Sequence, residues 1–391
     1  MSSRLKQAFV ILIGIFPITL LAQSNAPYVS GIDSTRNPIT VAVPFLSFAP
    51  DSRGSALGDA GVASDPDEYS VHWNNAKLAF LDDDLGFSFN YSPWLATIVD
   101  DMSLSYLTFH YKLTRNEALG VTMRYFDLGE IYLTNKEGDP AGTDNPTEAA
   151  VDVTYSRKLS ENMGVGVTAR YIWSNLTGIV QGGPKAGQSV AVDLGFYYKK
   201  EIMINGLNSQ LSLGAHMSNF GRKITYSSDS NEDFIPGNLR LGSALKMNLD
   251  PYNTITVLLD FNKLLVPTPP TYREDASGTL VLDKGKDPNR PLLSGTFGSF
   301  NDAPRGFQEE LQEIMISGGV EYKYQELFAL RGGYFYENVN KGNRKYFTAG
   351  VGFKYQVFGI DFSYLIPLQQ NHPLAETLRL SFQFSFDTKE S

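Results

Sequence analysis

The sequence predicts an all-β protein: a transmembrane antiparallel β-barrel of about fourteen strands with an N-terminal plug. Three observations predict it. Apolar residues alternate with small or polar ones at a period of two in segment after segment. The links between those segments alternate between long and short. A run of small residues precedes the first segment, and its composition suits an enclosed position rather than a free surface.

Taken in order, the chain opens with Arg4 and Lys6, an apolar run from Ala8 to Leu21, and Ala22. That is the pattern of a secretory signal peptide, expected over residues 1–22 with cleavage after Ala22. The run is short for a membrane anchor and Pro17 interrupts it. Removing Arg4 and Lys6 moves the formal net charge from −9 to −11, since the segment holds no acidic residue. So acidic a chain is a poor partner for nucleic acid, and none is expected. There is no cysteine, which excludes a disulfide scaffold, thiolate catalysis and zinc–thiolate sites.

Residues 23–84 read as an N-terminal segment and lumen plug. Gly54, Gly58 and Gly61 sit among Ala56, Ala60 and Ala63, leaving one surface almost without side-chain bulk. Glycines at this density weaken a helix, so they make sense where backbone packs closely against something else. Trp73 and Asn74 follow and complete the expected packing set with the three glycines. A phosphate loop is a poor alternative: the Gly54–Gly61 stretch lacks a Gly-Lys-Ser/Thr ending and a clear βαβ setting.

Residues 85–391 read as the barrel. Candidate strands lie near 85–91, 103–113, 117–127, 147–159, 162–173, 188–200, 208–218, 236–249, 253–262, 312–323, 327–336, 344–356, 357–365 and 376–387. Within them Leu119, Val121, Met123 and Tyr125 share one face, with Gly120, Thr122 and Arg124 on the other. Val190, Val192, Leu194, Phe196 and Tyr198 alternate with Ser189, Ala191, Asp193 and Gly195. Aromatic residues make up 13% of the chain, which supplies the interfacial belts that such barrels carry. The links after odd-numbered strands are long and those after even-numbered strands short, such as Thr114–Asn116 and Ser160–Glu161. Outer-membrane barrels show this asymmetry, with long loops outside and short turns in the periplasm; a soluble β-sandwich has no reason to. On this reading Val167 faces lipid and Thr168 the lumen, and a lysine is expected to be tolerated better at Thr168.

Strand phase turns Arg124, Asp152, Arg170, Asp193, Arg240, Asp260, Glu321, Arg331, Asp361 and Arg379 inward. Facing charges of both signs predict ion-paired networks that hold the plug. His110 and His216 also point inward and His72 lies in the plug; with His372 they are scattered, without His-Glu-x-x-His spacing. No catalytic residue, cofactor site or metal site is expected, and the chain is read as a non-enzyme.

The link at 263–311 stands apart, because loops of that length in compact domains are usually functional or disordered. It is mostly polar and rich in proline, yet carries Phe297, Phe300 and Phe307, the candidate partner-binding residues. Glu309–Gln312 has room for one or two helical turns.

The block Ala49-Pro50-Asp51-Ser52-Arg53-Gly54, then Ala56-Leu57-Gly58-Asp59-Ala60-Gly61, then His72-Trp73-Asn74-Asn75-Ala76-Lys77-Leu78 resembles the PorV family of the type IX secretion system. More broadly it is similar to FadL-type outer-membrane barrels, except that Asn75 stands where that pattern has proline. The resemblance implies an outer-membrane shuttle or adaptor of a Gram-negative bacterium. Such a protein takes cargo bearing a conserved C-terminal domain from a large translocon barrel and delivers it to a sortase-containing attachment complex. Its surroundings would be lipid and lipopolysaccharide. Two alternatives follow from the same likeness: a FadL-like channel for hydrophobic small molecules, favoured by a continuous apolar tunnel, and a lipid A deacylase, favoured by a Ser or His on the lipid-facing side.

Overall fold

A computed structural model describes residues 36–95, 99–135, 137–176, 186–226, 232–368 and 377–387. The signal-peptide reading of 1–22, and His372, lie outside the described residues.

Fourteen strands close into one antiparallel barrel. They are β1 (Leu85–Pro93), β2 (Ser103–Thr114), β3 (Glu117–Asp127), β6 (Thr147–Lys158), β7 (Met163–Asn175), β8 (Gly187–Ile204), β9 (Leu207–Gly221), β10 (Asn238–Asn248), β11 (Asn253–Leu264), β14 (Met315–Tyr324), β15 (Phe328–Tyr336), β16 (Lys345–Tyr355), β17 (Phe358–Pro367) and β18 (Leu378–Phe386). Each pairs with its neighbours in chain order, and β1 pairs with β18 to close the ring. Closure leaves no strand edge with unpaired N–H and C=O groups, which a lipid environment demands. Two further hairpins stand outside the ring: β4 (Ile131–Thr134) with β5 (Pro140–Asp144), and β12 (Thr271–Glu274) with β13 (Leu280–Lys284).

The period of two sorts the side chains as expected. Along β1, Phe87, Phe89 and Tyr91 are exposed on the outside, while Ser88 and Asn90 are buried inside. Across the closing seam Phe87 lies opposite Phe384 and the rings stack at 4.7 Å. An exterior of aromatic and aliphatic side chains around a polar interior fits a barrel surrounded by lipid.

The expected strands correspond to the fourteen observed ones, with differences at their ends. β8 and β9 run longer than the alternation indicates, to Ile204 and from Leu207. The expected strand at 312–323 begins at Met315, because Phe307–Gln312 is helical. The link expected at 263–311 starts after Leu264, and it holds the β12–β13 hairpin and two short helices, Leu292–Gly298 and Phe307–Gln312. It is an ordered cap built from short pieces, each below the length at which periodicity identifies an element.

Residues 36–84 pass once through the ring. At the end with the long links, the Asn37 N–H donates to the Asn340 carbonyl at 2.8 Å, and Ala42 N–H to the Phe234 carbonyl at 2.9 Å. At the end with the short turns, Lys112 Nζ donates to the Asp82 carbonyl at 2.8 Å. The chain thus enters at the extracellular mouth, descends through the lumen and reaches the periplasmic rim where β1 begins.

Candidate functional site: a filled lumen and an extracellular cap

The luminal segment is built around Trp73. Asp51 caps the helix Ser52–Ala56, its Oδ2 accepting from Gly54 N–H at 2.7 Å. The other carboxylate oxygen accepts from the Trp73 indole N–H at 2.7 Å. Gly54 and Gly61 lie against the indole, and a Cβ added at either would run into the ring. Gly58 has φ +71° and a Cβ there would meet the Tyr334 backbone of β15. Its two constraints are a left-handed conformation and contact with the wall.

Asn74 joins the segment to itself and to the wall. Its Nδ2 donates to the Val62 carbonyl at 3.0 Å and to the Phe196 carbonyl of β8 at 2.9 Å. Its Oδ1 accepts from Ala76 N–H at 3.2 Å, capping the 3-10 helix Asn75–Phe80. Asn75, where the broader pattern has proline, donates from Nδ2 to Thr168 Oγ1 of β7 at 2.8 Å. The wall makes room with glycines of its own: Gly166 and Gly195 face Asn75, and Gly333 faces Gly58.

Six of the ten inward charges form two networks. Arg170 binds Asp152 at 2.7 Å and Asp193 at 3.0 Å, spanning β6, β7 and β8. Arg53 of the luminal segment binds Asp67 at 2.7 Å and Glu321 at 3.0 Å. Glu321 also binds Arg331 at 2.6 Å, and Arg331 binds Asp361 at 2.5 Å. Removing one member would leave a buried charge uncompensated, so the networks fix the segment in one position. Arg124, Asp260, Arg240 and Arg379 stand outside these networks. Arg124 donates to the Leu46 carbonyl at 2.8 Å and lies 2.8 Å from His72 Nδ1. Asp260 accepts from Gly61 and Val62 N–H at 2.7 and 2.9 Å, and Arg240 and Arg379 lie over the Trp73 and Trp94 rings. Among the described residues no group of three or more His, Asp or Glu side chains is arranged to hold a metal ion.

Above these networks, on the side of β2, β3 and β7, the lumen is apolar and filled. Val43, Phe45 and Leu46, at the 3-10 turn Pro44–Ser47, pack with Trp94, Leu104, Phe126 and Ile172 in one cluster. A larger cavity of about 570 Å³ lies toward the periplasmic rim and is lined by charged residues such as Arg53, Asp67, Lys246 and Lys354.

The cap closes the extracellular mouth through buried ion pairs. Lys263 binds Glu310 at 3.1 Å and also Glu313. Lys341, from the β15–β16 link, binds Glu309 at 2.7 Å and Glu313 at 2.9 Å. Asn37 Nδ2 donates to Glu309 Oε1 at 3.1 Å, adding the luminal segment to the cluster. Sequence reading did not single out these residues, although Glu309 and Glu313 are four apart and so share a helix face. Burial turns Glu309 toward a higher pKa, but hydrogen bonds from Lys341, Arg305 and Asn37 outweigh it and hold the carboxyl at about 2. The apolar side chains of the same pieces face solvent: Phe297 is 61% exposed, Phe300 47% and Phe307 74%, with Leu293 and Leu311 also exposed.

A closed ring of fourteen strands with an apolar exterior is the architecture of an outer-membrane barrel of a Gram-negative bacterium. The family described as "Type IX secretion system protein PorV" matches residues 32–271, and the chain belongs to that family. It therefore serves type IX secretion at the outer membrane. Among solved structures it is similar in fold to the Pseudomonas putida toluene transporter TodX, at 11% identity and a TM-score of 0.50 over 87% of this chain and 99% of that one. The Ralstonia pickettii toluene transporter TbuX gives 12% identity and 0.46 over 87% and 98%. A Pseudomonas aeruginosa FadL homologue gives 9% and 0.43 over 90% and 100%. No curated protein matches the chain.

Proposed function

We propose that the chain is a shuttle of the type IX system. It binds cargo carrying a C-terminal secretion domain at the translocon barrel and releases it to the sortase-containing attachment complex at the cell surface. It works by recognition, with no covalent step. The luminal segment serves as a plug that keeps the barrel shut, and the cap presents the binding surface. The observation that carries this reading is the cap itself. Glu309, Glu310 and Glu313 are engaged by Lys263 and Lys341 in buried ion pairs, while Phe297, Phe300, Phe307, Leu293 and Leu311 stay exposed. Exposed aromatic side chains of this kind anchor protein–protein interfaces.

Transport of hydrophobic small molecules, the activity named for the toluene transporters, is disfavoured. Val43, Phe45 and Leu46 fill the apolar lumen beside β2, β3 and β7, and charges line the larger cavity. The smaller cavity beneath the cap is bounded by the luminal segment and by Glu313 and Lys341. The test is affinity purification of the tagged chain from gently solubilised outer membranes. Co-purification of a very large barrel and of cargo with C-terminal domains is the expected result. Recovery of the chain alone, with wild-type secretion persisting in a strain lacking it, would refute the shuttle.

A further inference from the structure

Beneath the cap lies a cavity of about 290 Å³, between the luminal segment and the inner faces of β10, β11, β14 and β15. Trp73 borders it, with Ile39, Phe48, Leu264 and Met315 among its apolar walls. Three carboxylates also line it, and each is engaged. Asp59 accepts from the Tyr346 hydroxyl at 2.5 Å. Glu313 accepts from Lys341 at 2.9 Å and from Thr268 Oγ1 at 2.6 Å. Glu337 holds Arg344 through two hydrogen bonds of 2.8 and 2.9 Å.

Arg240 is different. It is 7% exposed, and its guanidinium lies over the Trp73 ring at 5.1 Å. Its Nη1 is buried without a hydrogen-bond partner. Three acceptors near it share that condition. They are Oδ1 of Asn238, two residues earlier on the same face of β10, Oδ1 of Asn262, its register partner on β11, and Oδ1 of Asp260, two residues before Asn262. The Oδ2 of Asp260 already accepts from Gly61 and Val62 N–H. A buried donor or acceptor left unpaired is costly, so a group of this composition calls for a complementary partner. Arginine suits a carboxylate through paired N–H donors. The two amide oxygens suit an N–H next to that carboxylate. The apolar walls suit one side chain. A volume near the lower end of small-molecule pockets, which span roughly 300–1,000 Å³, admits a residue-sized ligand and excludes a long acyl chain.

We propose that this cavity binds a carboxylate with an adjacent amide N–H and an apolar side chain. Arg240 holds the carboxylate and Asn238 or Asn262 accepts from the amide. Two sources share that chemistry: a free N-acylated amino acid and the C-terminal residue of a polypeptide. Binding at this cavity stands independently of the shuttle reading; only the assignment of its source uses cargo.

The test uses the full chain in detergent, titrated with N-acetylphenylalanine and, separately, with its C-terminal amide, and followed by calorimetry and tryptophan fluorescence. The acid should bind at least about tenfold more tightly than the amide, because only the acid pairs with Arg240. Arg240→Gln should abolish that preference, and Asn262→Leu should weaken the acid. Melting curves establish that each variant is folded. Should Arg240→Gln not fold, the acid–amide comparison on the unaltered chain and Asn262→Leu still decide. Equal binding of acid and amide, no binding of either, or a preference that survives Arg240→Gln would overturn the proposal. The sources separate in a competition arm. Displacement of purified cargo by the probe, together with binding of a free-ended but not an amidated peptide, assigns the site to a chain terminus. Acid binding that leaves cargo in place assigns it to a free small molecule.

Discussion

At the scale of single residues, the luminal segment depends on what is missing from three positions. Gly54 and Gly61 leave space for the Trp73 indole, and Gly58 presses its backbone on Tyr334 at φ +71°. Gly58→Val adds bulk against backbone that has nowhere to go, in a conformation valine avoids. It should cost roughly 1–3 kcal/mol or more, seen as a lower temperature for loss of the compact band in heat-modifiability gels. An unchanged transition would mean that the segment is not enclosed. The density of small residues in the sequence indicated close packing. What they pack against was not legible, because Trp73 and Tyr334 lie 12 or more positions from the glycines they meet, and only the closed ring brings Tyr334 near. Asn75 is similar: the chain shows a departure from proline, while its bond to Thr168 exists only in three dimensions.

At the scale of the element, β7 shows where pattern reading succeeds and where it stops. Val167 is 43% exposed on the outer face, as alternation indicates. Val167→Lys should therefore cost about 2–4 kcal/mol, the range for a lysine at the bilayer midplane. The expectation of a milder effect at Thr168 does not survive. Thr168 is fully buried and bonds Asn75 at 2.8 Å and Thr154 at 2.7 Å, so the lumen there is packed rather than watery. Thr168→Lys should be at least as damaging, measured as the urea midpoint of refolded protein in vesicles. A clearly milder Thr168→Lys would mean that the plug leaves that wall free. The cap makes the complementary point about pH. Glu309 has its pKa held at about 2, below the ordinary 4.5, so its contribution is full above about 4.5 and is lost as the pH falls toward 2. Protection against hydrogen exchange across residues 292–314, taken relative to the intrinsic rate at each pH, should fall in that window while the barrel strands stay protected. Equal protection at pH 6 and pH 3 would remove Glu309 from the clasp. Little of the cap was legible beforehand, since its helices span 7 and 6 residues and its ion pairs join Lys263 and Lys341 to glutamates up to 50 positions away.

At the scale of the whole molecule, the barrel supplies a rigid, lipid-embedded support whose lumen is occupied by the ion-paired network of Arg53 with Glu321 and by the apolar cluster around Phe45 beneath the cap. The architecture was readable because a closed antiparallel barrel writes its geometry into the chain directly, as a period of two and alternating link lengths. The exposed apolar surface of the cap was less readable, because exposure of Phe297, Phe300 and Phe307 depends on how each short piece packs on the rim. On the proposed shuttle reading, the exposed aromatic surface is the part that binds. The most direct measurement replaces Phe297, Phe300 and Phe307 together by serine in an otherwise intact chain, then scores cargo capture and secretion beside heat-modifiability. A compact, membrane-inserted barrel that no longer retains cargo is the expected result, with cargo accumulating on the translocon or in the periplasm. Undiminished cargo capture and wild-type secretion by that folded variant would contradict it.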